Sequence, residues 1–423
     1  MQLGYRALAQ IARGAAVVAP DSDSKFLRAL HARRGIRGRY RAWRAAHRDL
    51  ARPLLWMHAP SVGEGLQARP VLELFRKRRP ALQLAYTHYS PSAYGFARSL
   101  DVDFCDYLPF DTPGDARVAL DALRPTALVF SKLDVWPVIT HAARSRGVRL
   151  GLISATMARG SSRRSRAAGA LLRDAYAALD AVGAIDDADA DRLVELGVRA
   201  SAIVVTGDTR YDQVWLRAQR VDRASPMLAR LRDARLTIVA GSTWPADEAV
   251  LLPAYEALRR ASHAVRLIIA PHEPTLDHVA RIVEWAKRAG ITVARLDDPQ
   301  APEAEVLVID RVGVLGDLYA LGEIAFVGGG FHAAGLHSVL EPAAFGTPVL
   351  FGPRREMSRD AGLLVQRGGG VSVADETELT RRLRTWTSDA SARRDAGDSA
   401  RALVRSGLGA AERSFELVDR LLR

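Results

Sequence analysis

The stretch LLWMHAPSVGEG at residues 54–65 joins a short apolar run to a turn built from small residues. An apolar run of this length is typical of a buried strand, and the amphipathic stretch that follows Gly65 is typical of a helix. The same order recurs at three further apolar runs, namely Leu82–Thr87, Ala127–Ser131 and Val148–Ser154. Alternation of this kind predicts βαβ units and a parallel sheet.

The alternation restarts after a polar, arginine-rich segment, and it then continues towards the end of the chain. The later apolar runs are Leu236–Ala240, Val265–Ala270, Val306–Asp310, Ile324–Val327 and Pro348–Phe351. Roughly the last 25 residues have the pattern of one long helix. We therefore predict an α/β protein with a doubly wound domain at 53–211, a linker at 212–225 and a second doubly wound domain at 226–423 that includes the terminal helix. Ligands bind at the carboxyl ends of strands in such sheets, so we expect the active site in the cleft between the halves.

The composition restricts the classes of function. The chain of 423 residues has a formal net charge of +12, supplied mostly by arginine, and a pI near 10.3. This balance favours anionic partners, although arginine also replaces lysine in proteins from GC-rich genomes, and both explanations stay open. Cys105 is the single cysteine, which excludes an intramolecular disulfide and agrees with a reducing, cytoplasmic compartment. No cluster of Cys and His has the spacing of a zinc site.

The first 52 residues form a basic segment that we expect to be a membrane-proximal N-terminal arm. No run reaches the ~20 apolar residues of a membrane span, and Arg6, Gln10 and Arg13 interrupt the mildly apolar start. The following residues, 25–52, are rich in Arg and His with apolar side chains among them. Such a segment can lie on an anionic membrane face, or it can be the solvated face of a helix, and the pattern favours neither.

Glu64 follows the first strand, where a carboxylate can take a proton from an acceptor hydroxyl. Ser61 and Glu64 also have the spacing of a capping box, in which Glu64 only accepts from a backbone amide, and the spacing alone favours that structural role. Lys132 and Asp134 lie just past another strand, and Arg210 has the geometry to bind a phosphate or carboxylate. A strand-to-helix turn and a surface arginine are the structural alternatives.

The second half contains an ordered series of small or polar turns after its strands. They are Ala240-Gly-Ser-Thr-Trp244, Ala270-Pro-His-Glu273, Val327-Gly-Gly-Gly-Phe331 and Leu336-His-Ser-Val-Leu-Glu-Pro342. The glycine run predicts backbone N–H groups open to a phosphate, and Glu341 is placed to accept from ribose hydroxyls. There is no Walker A lysine and no early GxGxxG, which argues against NTP hydrolysis and dinucleotide chemistry.

These motifs resemble those of the 3-deoxy-D-manno-octulosonic acid (Kdo) transferases of lipopolysaccharide assembly. The resemblance extends from about Trp56 to about Val373 and depends on several motifs in order, including Ser61-Val-Gly-Glu64, Leu108-Pro-Phe-Asp111, Gly207-Asp-Thr-Arg210-Tyr-Asp212, Gly241-Ser-Thr-Trp244 and His337-Ser-Val-Leu-Glu341. It implies the GT-B fold, in which two Rossmann-like domains with doubly wound parallel sheets face each other across a cleft. It also implies CMP-Kdo as the donor, a lipid A precursor as the acceptor and inversion at the sugar carbon.

The same resemblance assigns roles to individual residues. Glu64 matches the catalytic base. The residues that match the acceptor side are Ser61, Gly63, Lys132, Asp134 and Arg210. The residues that match the CMP site are Gly241, Ser242, Pro271, His272, Leu315, Gly316, Gly329, His337, Ser338 and Glu341.

Further expectations follow for cofactors, location and alternatives. Amides at helix N-termini together with His337 can stabilise a leaving phosphate, so we predict metal independence and no cofactor. The expected partners are CMP-Kdo, the lipid A precursor and an anionic membrane surface at the cytoplasmic face of the inner membrane, without nucleic acid. The alternatives are another GT-B enzyme that uses a UDP-sugar, and a catalytically silent membrane- or RNA-binding homologue.

Overall fold

The computed structural model describes residues 2–18, 20, 24–158, 160–161, 163, 165–261 and 264–423. The chain forms two compact units. The first unit runs to Gln213 and takes up Leu408–Arg423, and the second unit is Val214–Gly407.

The first unit contains seven parallel strands. They are β1 Leu54–His58, β2 Gln83–His88, β3 Phe104–Tyr107, β4 Ala127–Ser131, β5 Arg149–Ala155, β6 Ala181–Ala184 and β7 Ile203–Val205. Their order in the sheet is β3-β2-β1-β4-β5-β6-β7. Its helices are α1 Gln2–Val18, α2 Lys25–His31, α3 Ile36–His47, α4 Val62–Arg78, α5 Tyr94–Arg98, α6 Pro113–Leu123, α7 Pro137–Arg144, α8 Arg166–Ala177 and α9 Asp187–Leu196, and α10 Arg210–Arg220 begins in it.

The second unit repeats the architecture with a second sheet of seven parallel strands. They are β8 Leu236–Thr243, β9 Val265–Pro271, β10 Val293–Arg295, β11 Val306–Val308, β12 Ile324–Val327, β13 Val349–Phe351 and β14 Gly370–Ser372. Their order is β10-β11-β9-β8-β12-β13-β14. Its helices are α11 Pro226–Arg230, α12 Pro245–Ala261, α13 Leu276–Arg288, α14 Leu315–Leu318, α15 Leu340–Ala344, α16 Arg359–Gln366, α17 Glu376–Ser388 and α18 Ala390–Ser406. The last helix, α19 Ala410–Asp419, belongs to the first unit.

Both sheets reverse their winding at a central pair of strands. In the first sheet β1 lies beside both β2 and β4, and in the second sheet β8 lies beside both β9 and β12. The crevice outside the carboxyl ends of such a pair is where doubly wound sheets bind ligands. The fold therefore directs attention to the turns after β1 and β4 and to those after β8 and β12.

Four strands lack a recognisable apolar run in the sequence because they are short and carry few large apolar side chains. Strand β3 contains Cys105 and Asp106, and β6 consists of alanine, valine and glycine. The edge strands β10 and β14 have only three residues each. Pairing with the neighbouring strands β2, β5, β11 and β13, rather than local sequence alone, fixes these four strands.

The N-terminal segment is part of the first unit rather than a separate arm. The side chain of Tyr40 on α3 is fully buried, and its hydroxyl donates to the Tyr107 carbonyl at 2.9 Å. The indole of Trp43 donates to the Asp103 carbonyl at 2.9 Å.

Arg33 is buried as well, and its guanidinium donates to the carbonyl oxygens of Leu108, Ala29 and Tyr89. Much of the basic, aromatic pattern of residues 25–52 therefore serves packing.

The end of the chain also differs from the sequence prediction. The predicted single helix is two helices, α18 and α19, separated by a turn in which Gly409 has a φ of 87°. Sequence order places the terminal helix in the second domain, but α19 belongs to the first unit. The segment predicted as a linker is largely helical, since α10 extends to Arg220. Contact between distant parts of the chain, with Asp212 accepting from the amides of Gly409 and Ala411, places α19 in the first unit.

No helix among the described residues has the length and apolar character needed to cross a membrane.

Candidate active site

Glu64 lies in the first turn of α4, just past the carboxyl end of β1. Its carboxylate accepts from the Ser61 hydroxyl and lies 3.2 Å from the Lys132 ammonium. Burial raises the pKa of Glu64, but the Ser61 hydrogen bond and the Lys132 charge outweigh burial, so the pKa lies below its usual range. Glu64 is therefore an ionised carboxylate near neutral pH, which is the protonation state that a general base requires.

The capping box suggested by the spacing does not form in its reciprocal version. Ser61 occupies the N-cap position of α4, yet its hydroxyl makes no capping bond to a helix amide and donates to the Glu64 carboxylate instead. The side chains that contact the Glu64 carboxylate are Ser61 and Lys132. This arrangement favours the chemical interpretation of Glu64 over the purely structural one.

The sheet order explains why Glu64 and Lys132 meet. Strands β1 and β4 are neighbours, and the Ser131 hydroxyl at the end of β4 donates to the Glu64 carbonyl at 3.1 Å. Lys132 has a φ of 68°, a left-handed conformation that a non-glycine residue adopts at a cost. Its amide is fixed by the Ile153 carbonyl at 2.8 Å. Backbone strain of this kind is concentrated at functional sites.

The other acceptor-side candidates have different surroundings. Asp134 forms an ion pair with Arg163. The pKa of Asp134 is raised, because burial and the charge of Glu64 together outweigh the opposing effect of Arg163. Arg210 is engaged by the Asp208 carboxylate, with an Nε to Oδ2 distance of 2.8 Å. The guanidinium thus already has a carboxylate partner within the protein. Asp134 belongs to the Glu64 cluster by its electrostatic interaction, and Asp208 holds Arg210.

The two glycines of the first turn serve different purposes. A Cβ on Gly63 would meet nothing nearer than the Ser61 hydroxyl at 3.8 Å, so the protein itself does not require glycine there. A Cβ on Gly65 would collide with the ring of Phe96 and come within 2.7 Å of the Tyr86 hydroxyl. Gly65 is thus a packing residue, and the turn stays open at Gly63.

In the second unit, one glycine near the end of β8 and another in the first turn of α14 lie close to larger side chains. A Cβ on Gly241 would collide with the Tyr319 hydroxyl and lie 2.9 Å from Leu315. A Cβ on Gly316 would collide with the guanidinium of Arg217. Three residues predicted for the CMP site therefore pack in one neighbourhood around Tyr319 and Arg217.

Glu341 belongs to the same neighbourhood by its electrostatic interactions. It lies in the first turn of the short helix α15. Burial raises its pKa and the charge of Arg217 opposes that rise. Burial also raises the pKa of Tyr319, and the charge of Glu341 raises it further. A carboxylate, a phenol and a guanidinium thus interact at the edge of this sheet.

A second group of predicted residues forms a stack of rings with Trp244. The ring centroids of Trp244 and His272 are 4.7 Å apart, those of Trp244 and His332 are 4.2 Å apart, and those of His272 and His337 are 4.4 Å apart. Burial, followed by the charges of His272 and His332, lowers the pKa of His337 to about 4. His337 is therefore a neutral imidazole near neutral pH.

The glycine run after β12 differs from the expectation of amides open to a phosphate. The amides of Gly329 and Phe331 donate to the buried Asp247 carboxylate at 2.7 and 3.0 Å. Asp247 also accepts from the Trp244 amide at 2.9 Å. A Cβ on Gly328 would collide with the Ser242 carbonyl. The run is glycine because two backbones approach closely, and the Gly329 amide is already used inside the protein.

The remaining candidates lie at the same edge of the second sheet. Pro271 is the buried last residue of β9, and the amide of His272 donates to the Thr243 carbonyl at 2.9 Å. Ser242 has a φ of 55°, and the exposed Ser338 precedes α15. Among the described residues, no group of three or more His, Cys, Asp or Glu is arranged to hold a metal ion.

Sequence reasoning overlooked several residues of these clusters: Arg163, Arg217, Asp247, Tyr319 and His332. Asp247 had a detectable signal, since an acidic residue in the first turn of a helix that follows a strand is a common partner for backbone amides. Arg217 had none, because it lies in the segment that resembled a linker.

The sequence profile described as "3-Deoxy-D-manno-octulosonic-acid transferase (kdotransferase)" matches residues 31–213. The chain is 30% identical over 393 residues to the 3-deoxy-D-manno-octulosonic acid transferase of Bordetella pertussis, and the match covers 90% of each chain. The chain belongs to the Kdo transferase family. A Kdo transferase family member of Haemophilus influenzae is 24% identical over 373 residues, which is 86% of each chain.

Solved structures confirm the fold class predicted from the sequence. The UDP-GlcNAc 2-epimerase of Neisseria meningitidis superposes with a TM-score of 0.63 at 12% identity, covering 88% of this chain and 99% of that one. A glycosyltransferase of Rickettsia africae superposes with a TM-score of 0.58 at 11% identity and similar coverage, 88% and 99%. Two Rossmann-like units of this kind constitute the GT-B fold. As a member of the Kdo transferase family, the chain is a glycosyltransferase, as its motifs predicted.

Proposed function

We propose that the chain transfers Kdo from CMP-Kdo to a lipid A precursor in lipopolysaccharide assembly, with Glu64 as the general base. The single observation that carries the assignment of Glu64 is its ionised carboxylate, held by Ser61 and Lys132 at the reversal of the first sheet. Membership of the Kdo transferase family supports the choice of sugar.

The proposed step is a direct displacement at the anomeric carbon of Kdo. The bond from that carbon to the phosphate oxygen of CMP breaks, and its electron pair leaves with CMP. The acceptor oxygen forms the new bond to the same carbon while its proton moves to the Glu64 carboxylate. The tertiary anomeric carbon favours an oxocarbenium-like transition state, and attack from the face opposite the leaving group inverts the configuration.

The nucleotide is proposed to bind at the edge of the second sheet. Glu341 is assigned to the ribose hydroxyls because it is an acceptor on a short helix beside Arg217. His337 is assigned to the phosphate because its ring is held next to the glycine run. The remaining residues assigned to this site are Gly241, Ser242, Pro271, His272, Leu315, Gly316, Gly329 and Ser338.

The role of Glu64 is tested by the Glu64→Gln variant, which keeps the shape of the side chain but removes its basicity. We expect the turnover rate to fall by roughly 10²–10⁴, the usual contribution of a general base. The matched control is Glu73→Gln, which changes an exposed carboxylate on the same helix and is expected to retain activity. A Glu64→Gln enzyme with wild-type turnover would show that Glu64 is not the base.

The choice of nucleotide is tested independently of catalysis by calorimetric titration of the full chain with CMP and with UDP. We expect CMP to bind and Glu341→Ala to weaken its binding. Binding of UDP in preference to CMP would favour a UDP-sugar donor, and binding of neither would favour a silent homologue.

We also propose that α1 docks the enzyme on the cytoplasmic, anionic face of the inner membrane, where a lipid acceptor would be reached. The side chains of Leu8, Ile11 and Val18 are 68%, 67% and 77% exposed and recur at the spacing of one helical face. Exposed arginines on the neighbouring segment, among them Arg28 and Arg34, add positive charge. An apolar face beside basic residues is the pattern of an interfacial helix.

A further inference from the structure

The side chain of Trp244 makes one hydrogen bond that restricts the chemistry of His337. Its indole Nε1 donates to Nε2 of His337 at 3.1 Å. An indole N–H is a donor only, so Nε2 of His337 must present a lone pair. The single ring proton of neutral His337 then lies on Nδ1.

We propose that Trp244 is a positioning residue that fixes His337 as the neutral Nδ1–H tautomer, so that His337 meets a phosphate oxygen of the nucleotide as an uncharged hydrogen-bond donor. The contact with a nucleotide depends on the donor site described under Proposed function, whereas the choice of tautomer belongs to the free protein.

The surroundings of His337 hold its ring in this orientation. Its backbone amide donates to the Gly328 carbonyl at 3.1 Å, and a Cβ on Gly329 would come within 3.2 Å of the imidazole Cδ2. The ring of His272 stacks on it with an interplanar angle of 28°. Within the part of the chain that the structure describes, Nδ1 has no hydrogen-bond partner. The N–H on Nδ1 is thus left for a ligand.

A second histidine of the same stack has the opposite tautomer. The Ala334 amide donates to Nδ1 of His332 at 3.1 Å, so neutral His332 carries its proton on Nε2. The ring of His332 stacks on Trp244 with an interplanar angle of 6°. The two tautomers are therefore set by individual donors and not by the stack as a whole.

A neutral hydrogen-bond donor can stabilise the phosphate of the nucleotide as it leaves. A hydrogen bond from Nδ1–H strengthens as negative charge accumulates on the phosphate in the transition state. Protonation of His337 would instead require a cation in contact with His272 and beside His332, and those neighbours together with burial oppose it. Trp244 removes the remaining ambiguity, because without its N–H either ring nitrogen can carry the proton.

The tautomer is tested directly by ¹⁵N NMR of the full chain labelled at its ten histidines. The His337 signals are identified by their loss in His337→Asn. We expect Nδ1 of His337 to have the shift of a protonated nitrogen and Nε2 that of an unprotonated one, with the reverse for His332. A protonated Nε2 on wild-type His337 overturns the proposal, and this result needs no variant of Trp244.

The role of Trp244 is tested by Trp244→Phe, which keeps an aromatic ring but loses the N–H. We expect a mixture of His337 tautomers and a CMP dissociation constant raised on the order of 2- to 10-fold, the value of one hydrogen bond. The matched control is Trp285→Phe, which removes an indole donor that binds Glu256 at 2.6 Å in the same unit. A pure Nδ1–H tautomer that persists in folded Trp244→Phe would contradict the role of Trp244.

A third comparison separates the two ring nitrogens in binding. The amide nitrogen of asparagine can reach the position of Nδ1, and that of glutamine the position of Nε2. We expect His337→Asn to retain CMP affinity better than His337→Gln, and the reverse order would overturn the proposal. If wild-type protein does not bind CMP at all, the proposed donor fails while the NMR result for free His337 still decides the tautomer.

Discussion

At the scale of single residues, the first unit contains a carboxylate whose charge state is set by its neighbours. Two opposing causes act on Glu64, since burial disfavours its charge while Ser61 and Lys132 favour it. Ser61 acts on Glu64 through a hydrogen bond, and Lys132 acts through both a charge and a hydrogen bond. The pH dependence of activity therefore reports on this pair.

We predict that Lys132→Met moves the acid limb of the pH–activity profile to higher pH. Loss of the cation raises the pKa of Glu64, so the base becomes protonated at a higher pH, by about one unit for a partly exposed pair. The measurement is kcat/KM as a function of pH, with Lys77→Met as the control because Lys77 is exposed at the far end of α4. An acid limb that stays in place or moves to lower pH would contradict the pairing.

At the scale of elements, the loops at the edge of the second sheet are organised by one buried carboxylate on α12. Asp247 accepts from the amides of Trp244, Gly329 and Phe331, and so it ties the turn after β8 to the turn after β12. The side chain has no exposed surface. Glycines at the contact between the two turns allow the approach that the carboxylate then holds.

We predict that Asp247→Ala lowers the free energy of unfolding by about 3 kcal/mol or more, because each buried amide left without an acceptor costs roughly 1–3 kcal/mol. Denaturant unfolding measures the change, and CMP affinity should fall with it. The control is Asp277→Ala, an exposed carboxylate in the first turn of α13, which should cost about 1 kcal/mol or less. Equal losses in the two variants would refute the organising role of Asp247.

The terminal helix α19 is a second element whose place only tertiary contacts reveal. The Asp212 carboxylate accepts from the amides of Gly409 and Ala411 at the start of this helix. Phe415 packs on Phe75 of α4 with ring centroids 4.5 Å apart. Asp212, the last residue of the Gly207–Asp212 motif, therefore holds the first turn of α19 in place.

We predict that Phe415→Ala destabilises the first unit by about 3 kcal/mol, the usual cost of removing a buried aromatic ring. Hydrogen exchange should accelerate in strands β1–β6 and remain unchanged in β8–β13. Glu416→Ala, an exposed change on the same helix, is the control. Faster exchange confined to the second sheet would show that α19 stabilises the second unit, and it would contradict the assignment of α19 to the first unit.

At the scale of the whole molecule, a formal net charge of +12 accompanies a helix with an exposed apolar face. Charge alone leads to weak, salt-sensitive attachment, since each basic residue near an anionic surface contributes about 1 kcal/mol. The apolar face of α1 adds burial that salt does not screen. Because Tyr40 of α3 is buried, substitutions in α1 test this attachment better than removal of the first 52 residues.

We predict that replacing Leu8, Ile11 and Val18 with serine greatly reduces flotation with anionic vesicles, and that wild-type flotation weakens at high salt and on neutral vesicles. The matched control replaces three equally exposed apolar residues of the second unit, Leu276, Val312 and Met357. Equal flotation of the two triple variants would contradict docking through α1.

Much of the fold was predictable because long buried strands appear in the sequence as apolar runs. The doubly wound class, the central strands β1, β4, β8 and β12 and the turns that follow them were all visible in this way. The short edge strands were not, because their pairing energy comes from neighbours far along the chain. The same holds for Arg33 and Tyr40, whose burial among carbonyl groups a basic sequence pattern does not suggest.

The sequence by itself determined the family, through motifs in a fixed order, and it identified Glu64, His337 and Glu341 as residues worth testing. Only the tertiary structure decided that Lys132 lies beside Glu64 and favours its charged form, that Asp247 binds the Gly329 amide and that Trp244 selects the tautomer of His337. The physical reason is that a side chain's chemistry depends on the donors, acceptors and charges within a few ångströms. In a doubly wound sheet those groups come from strands that are adjacent in space and distant in sequence.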